Sequence, residues 1–369
     1  MRPTDDDLRQ LAVSHGSPLY VYSRDVLLRN VKMFKSFVRW PQFRLLFATM
    51  ANPSEDVLTI LFKEGVGACV NSRRHLDLCL SLGCTADRIQ FTTTGITRPD
   101  MRFLIANSIP CNADSEQQAK NWFSLNGRRV GLRINAATLN PTELRRDRIG
   151  IDSKHVPDIL KTLETYDGVI NGLHVYLGTN ILDCGLMLRT LAPFFELAST
   201  IPTLEYLNIG GGIGVDYLHR GSLFDLGSFG RGLDGMLERL GRNIFLYFEP
   251  GRSLIANAGC FVVSVTDVKT LSGKRYVCVD GSVAQFPRPL HHPDTPHNVR
   301  HLWSERASPL RDATVVGRTT FSRDVLADGA QLPAEIKIGD LLVFDDAGAY
   351  CSSMASRFLG QPDTVGVVI

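Results

Sequence analysis

Two short stretches carry residues whose types and spacing could do chemistry. Gly210, Gly211 and Gly212 close the apolar run LEYLNIGGG. Glycines there pack no side chain and can turn their backbone N–H groups into an anion-sized concavity. Glu249, Pro250, Gly251 and Arg252 close a second run, IFLYFEPGR. The arginine suits a phosphate oxygen, and the glutamate suits a ring nitrogen that must stay protonated. A third stretch of the same shape, FATMANPSEDVL over 47–58, carries Met50 where a reactive group is expected. Each stretch alone is a weak signal: three glycines mark a tight turn as readily as a ligand site, and Glu249 and Arg252 could form a structural ion pair. GGGIGVDY also has Val215 where the dinucleotide fingerprint needs glycine, which disfavours a nicotinamide enzyme.

These stretches sit in a repeating pattern. Eight short runs rich in β-branched and aromatic residues recur between residues 40 and 252: RLLFAT, GVGACVN, RIQFTTT, SIPCNAD, RVGLRIN, INGLHVYLG, LEYLNIGGG and IFLYFEPGR. Each ends in small or polar residues and precedes an amphipathic stretch such as RRHLDLCLSLG. That alternation predicts an α/β fold, a (β/α)8 barrel over 25–252 whose chemistry gathers at the C-terminal strand ends. After Gly251 the texture changes to strands separated by turns, as in CFVVSVTDVKTL and DLLVFDDAGAY. This predicts a C-terminal all-β domain over 253–369, with residues 1–24 packing beside it.

Composition narrows the partners. Forty basic and 38 acidic residues leave a net charge of +2 with no dense basic run, so nucleic acid is not an expected partner. No apolar run has the length of a membrane span, and the N-terminus MRPTDDDLRQ lacks signal-peptide character; the expected location is the cytoplasm. The eight cysteines are scattered without a CxxC pair and read as reduced, buried thiols. His291, His292 and His297 lack metal-ligand spacing, so no metal is expected.

Across most of the chain, GSPLYVYSRDVLLRN, GLHVYLGTNI, LNIGGGIGVDY, FEPGRSLIANAG, VDGS, FSRDVL and GDLLVFDDAGAYCSSMASRF occur in one order. In this the chain resembles the ornithine and diaminopimelate decarboxylases, pyridoxal 5′-phosphate enzymes with an alanine-racemase-like barrel and a C-terminal β-domain. The resemblance implies that Gly210, Gly211, Gly212, Gly251, Arg252 and Tyr350 hold the cofactor phosphate, with Thr179 where the family has a serine. Glu249 would pair with the pyridine nitrogen. Asp324 would read the far end of the substrate, contributed by the neighbouring subunit of a homodimer with shared active sites. Arg148 falls where the family has a basic residue before phenylalanine and glycine.

The departures from the family form a set. The lysine that bonds the cofactor aldehyde is Met50, and a thioether can neither bond an aldehyde nor shuttle a proton. The family's aspartate and glutamate beside that lysine read as Cys69 and His75. The ring-stacking histidine reads as Tyr176, although His174 remains. The catalytic cysteine and the glutamate next to it read as Thr320 and Phe321. A buried aspartate without its lysine would be an unpaired charge, so its loss together with the lysine follows from desolvation. Two readings follow. One is a protein that binds the cofactor noncovalently and acts on an amino acid or amine, free or carrier-bound, with His75, His174 or Tyr176 moving protons. The alternative is a catalytically inactive decarboxylase homologue acting as a binding or regulatory partner.

Overall fold

The apolar runs of the sequence become the strands of a closed parallel barrel. In the computed structural model, which describes residues 2–145, 147–302 and 308–369, strand β1 (Leu19–Tyr22) comes first in the chain. The barrel strands follow: β2 (Phe43–Ala48), β3 (Gly67–Val70), β4 (Ile89–Thr92), β5 (Cys111–Ala113), β6 (Arg129–Asn135), β7 (Val169–Tyr176), β8 (Tyr206–Asn208) and β9 (Phe245–Phe248). Each pairs in parallel with the next, and β9 closes on β2. The expected (β/α)8 architecture is what the chain adopts.

The helices between strands obey simple local rules. In Glu55–Lys63, two acidic residues occupy the first turn, where the helix dipole favours them. Val57, Leu58, Leu61 and Phe62 are buried, the spacing of one helical face. Gly65 at φ +75° then reverses the chain. The helix Arg73–Ser81 is capped by the Ser72 side chain, which accepts from His75 N–H, and it buries Leu76 and Cys79. Inside the barrel a polar layer braces the strands: Tyr206 Oη donates to Asn112 Oδ1 at 2.6 Å, and Asn112 Nδ2 donates to Gln90 and Thr92. Tyr206 finds room because Gly131 and Gly172 face it; a Cβ at either would come within 2.1 Å of its side chain.

The barrel unit comprises Val31–Val215 and Leu223–Gly251, and a second unit comprises Met1–Asn30, Asp216–Ser222 and Arg252–Ile369. The second unit is mostly sheet, with strands β10 (Gly259–Leu271), β11 (Lys274–Val279), β12 (Val299–His301), β13 (Leu310–Val316), β14 (Val325–Pro333), β15 (Leu341–Phe344) and β16 (Val365–Val368). Strand β10 pairs with β1, β11 and β15, while β1 also pairs with β16. Leu8, Leu19, Val21, Val262, Leu302 and Val343 form one core of this unit. Phe261, Phe286 and Phe344 form an aromatic cluster that His297 joins at 4.8 Å from Phe286.

His297 makes that cluster pH-sensitive. Its Nδ1–H donates to the Asp345 carbonyl at 2.7 Å. Burial first, and then the Arg288 guanidinium, push its pKa down to about 3. The unfolded chain therefore takes up a proton here near pH 6.5, whereas the folded chain does so only near 3, so stability falls as pH drops through that window. The stability lost to this group should approach ~1.4 kcal/mol per pH unit below about 6. Denaturant midpoints of the wild type and His297→Asn from pH 7 to 3.5 check this. Their difference should shrink steadily, and a constant difference would contradict it.

Candidate active site

The barrel unit brings an acid, an imidazole, an amide and a thiol together at the strand ends. Glu249 follows β9 and is 6% exposed. Its Oε1 accepts from Asn208 Nδ2 at 2.6 Å, and its Oε2 meets His174 Nε2 at 3.2 Å. The Glu249 N–H donates to the Gly210 carbonyl at 2.6 Å, tying the ends of β8 and β9 together. Burial alone would raise the Glu249 pKa, but His174, Asn208 and Cys69 outweigh it and hold the carboxyl below its usual range. The carboxylate stays charged.

His174 is the neutral partner. It is buried, its Nδ1 has no hydrogen-bond partner among the described residues, and burial lowers its pKa against the pull of Glu249. A protonated ring would bury an N–H with nothing to accept it, so Nε2–H donates to Glu249 and Nδ1 stays bare. Cys69, at the end of β3, is pushed well up by burial and by the Glu249 charge, and it offers a thiol proton to that carboxylate. An aspartate at this position would set a second buried anion against Glu249.

Met50 lies half-buried in the turn Thr49–Ala51 that follows β2. Beside it, Thr49 Oγ1 donates to the Cys69 carbonyl at 3.1 Å and also meets His75 Nδ1 at 3.1 Å. The residue that follows β2 and the first turn of the next βα unit's helix are thus joined. Tyr176 shares a strand face with His174, two residues apart on β7. Its hydroxyl bonds Thr179 Oγ1, and Arg133, paired with Asp114 at 3.3 Å, lies 5.7 Å from its ring.

The glycine triplet forms a cradle of bare backbone. Gly210 and Gly212 have φ of +62° and +101°, open to glycine but strained for other residues. A Cβ on Gly211 would come 2.3 Å from the Glu249 carbonyl. Gly210 N–H is taken by the Asn208 side chain, whereas among the described residues the N–H groups of Gly211 and Gly212 have no acceptor. Two adjacent unpaired backbone donors have the chemistry to receive an anion.

Asn208 and Thr49 are the site residues that sequence reasoning passes over. Asn208 is visible as a polar residue shortly before the glycines, and Thr49 as the residue before Met50. Asp324 is 3% exposed, and its carboxylate accepts from Val283 N–H, Thr319 N–H and the Thr319 hydroxyl. These bonds fasten the 317–324 loop. Thr320 is exposed on that loop, and Phe321 packs edge-on to Phe358 at 5.6 Å. Arg148 is exposed. In the second unit, Arg252 is buried, donates to Tyr217 Oη at 2.7 Å and lies 4.8 Å from the Tyr350 ring.

The family model for the pyridoxal-binding domain of pyridoxal-dependent decarboxylases matches residues 24–256. The chain belongs to the pyridoxal-dependent decarboxylases. A probable chloroplastic diaminopimelate decarboxylase of Oryza sativa subsp. japonica is 33% identical to this decarboxylase-family chain over 94% of its length and 74% of the relative's. The diaminopimelate decarboxylase of Archaeoglobus fulgidus is 29% identical, covering 96% and 88%. Among solved structures, the Helicobacter pylori diaminopimelate decarboxylase in complex with L-lysine superposes with a TM-score of 0.89 at 25% identity over 98% and 94% of the two chains. The Vibrio vulnificus lysine/ornithine decarboxylase with putrescine shares the fold, with a TM-score of 0.88 at 20% identity over 100% and 99%. Among the described residues no helix is long and apolar enough to cross a membrane, and no group of three or more His, Cys, Asp or Glu side chains could hold a metal ion.

Proposed function

We propose that this decarboxylase-family protein binds pyridoxal 5′-phosphate noncovalently and acts on an amino acid or amine, with a proton inventory unlike that of lysine-bearing family members. The observation that carries the reading is a pairing of retention and loss. Glu249 keeps its charge beside His174 and Asn208, while no lysine among the described residues stands at the C-terminal end of a barrel strand.

The residues fit the cofactor. The unpaired N–H groups of Gly211 and Gly212 would take phosphate oxygens. Glu249, with lone pairs remaining on both oxygens, would accept from a protonated ring nitrogen. When bound, the cofactor supplies an electron sink for the charge left as carbon dioxide departs. Asn208 and His174 hold the carboxylate in place and charged. Tyr176 is a ring wall on the strand face of His174. Met50 and Cys69 keep the turn after β2 free of charge, where the family resemblance places an ion pair.

Release of carbon dioxide from carboxyl-labelled meso-diaminopimelate, L-lysine and L-ornithine, measured with saturating pyridoxal 5′-phosphate, tests the activity. Slow, protein-dependent release from one of them is expected. Bound cofactor without release from any substrate would favour the alternative, a cofactor-binding homologue that acts as a partner and not as a catalyst.

A further inference from the structure

Three ionisable side chains at the barrel mouth could move a proton in place of the missing lysine, and the hydrogen-bond geometry separates them. His174 is sealed in the interior and commits Nε2–H to Glu249. The Tyr176 hydroxyl is engaged with Thr179. His75 is different. The Cys69 carbonyl can only accept, so Thr49 Oγ1 spends its single proton on that bond. The contact between Thr49 Oγ1 and His75 Nδ1 at 3.1 Å then requires the proton to lie on Nδ1. In the neutral ring this leaves Nε2 as a bare lone pair, and it has no partner among the described residues.

We propose that His75 Nε2 is the proton acceptor for the amino group of the substrate, held in the acceptor tautomer by Thr49. The inference rests on the proposed function, since it assumes that an amine is handled at the turn carrying Met50. In the step, an N–H bond of the substrate ammonium breaks, its electron pair stays on nitrogen, and the proton goes to Nε2, turning imidazole into imidazolium. The free amine is the form that can attack a carbonyl carbon.

The surroundings suit an acceptor. Burial, and after it the neighbouring Arg74, lower the His75 pKa, so the ring is neutral at pH 7 and ready to receive a proton. Arg73 on the same helix is paired with Asp77 at 2.6 Å. The ionisable group on β3, Cys69, is a neutral thiol, and the turn Thr49–Ala51 contributes no ionisable side chain. The helix N-terminus is capped by the Ser72 hydroxyl, which accepts from the His75 backbone and leaves the ring free to point at the turn.

Long-range proton–nitrogen correlation spectra of protein labelled with 15N-histidine read the tautomer without any cofactor. His75 should appear as the Nδ1–H form, and Thr49→Val should convert much of it to the Nε2–H form. An Nε2–H tautomer in the wild type overturns the proposal. The second arm follows the absorbance change when L-lysine is mixed with protein loaded with pyridoxal 5′-phosphate. His75→Gln should slow it by about 100-fold, the lower end for loss of a general base, at unchanged cofactor affinity. The inflection in the wild-type pH–rate profile should also be lost. A His75→Gln rate equal to wild type overturns the role. Failure of the wild type to bind the cofactor overturns the proposed function and this role with it, while the tautomer spectrum still reports on the Thr49–His75 bond.

Discussion

Met50→Lys is expected to convert reversible cofactor binding into covalent retention. After borohydride reduction and dialysis under denaturing conditions, the variant should keep about one equivalent of pyridoxyl group, detected by intact mass, and the wild type should keep none. Before reduction, cofactor release from the variant should be slower by ~10²-fold or more, since a bond formed within a preorganised site gains a large effective concentration. The turn that carries Met50 is pinned by Thr49 to the Cys69 carbonyl and to His75, so a lysine there would enter a fixed backbone. Its neighbours would differ from those the family resemblance implies, with a thiol and an imidazole in place of two carboxylates. A half-buried amine without an anion beside it loses some of its basicity, which favours the free amine.

The same logic predicts a coupling. Cys69→Asp alone would set a second carboxylate against Glu249 in a buried site and should destabilise the protein by roughly 2–4 kcal/mol. Adding Met50→Lys should restore part of that loss, with an interaction energy of about 1–3 kcal/mol. Additive effects in this double-mutant cycle, measured by denaturant unfolding, would contradict the view that the lysine and its acidic neighbour were lost together for electrostatic reasons.

Glu249→Ala should be the most damaging single change in the barrel. Three donors, Asn208 Nδ2, His174 Nε2–H and the Cys69 thiol, would lose their acceptor inside the barrel. The cost should be about 3–5 kcal/mol, and cofactor binding should be lost with it. Glu249→Gln keeps the volume but turns an amide NH2 toward at least one of these donors, so it should also destabilise, by about 1–2 kcal/mol. The sign of the pH dependence follows from the lowered folded pKa. The Glu249 contribution is fully present above its ordinary value of 4.5 and is lost as pH falls through the folded value. Unfolding of the wild type and Glu249→Gln at pH 7 and pH 3.5 checks this; their difference should shrink at the lower pH.

Much of the barrel is legible in the sequence because its strands recur as short, largely apolar runs, each followed by a helical stretch. Even β5 and β8, three residues each, sit inside recognisable runs. Glu249 and the glycines stand out because they end those runs, and strand ends are where such barrels do chemistry. The roles of loop residues are not legible. Asp324 looks like a substrate-reading acid in FSRDVL, and within the chain its carboxylate also accepts from backbone and hydroxyl donors of its own loop and of Val283. A sequence does not reveal which polar side chain a loop spends on its own N–H groups. The same holds for Thr49, whose importance depends on the carbonyl it meets across β3, and for His75, whose tautomer depends on Thr49.

Equilibrium dialysis of the purified protein against pyridoxal 5′-phosphate, with and without borohydride, tests the central claim most directly. The account predicts saturable binding near one equivalent per chain, a bound-state absorbance that dialysis removes, and no cofactor fixed to the chain by reduction. No saturable binding, or cofactor that reduction fixes to a lysine of the wild-type chain, would contradict it.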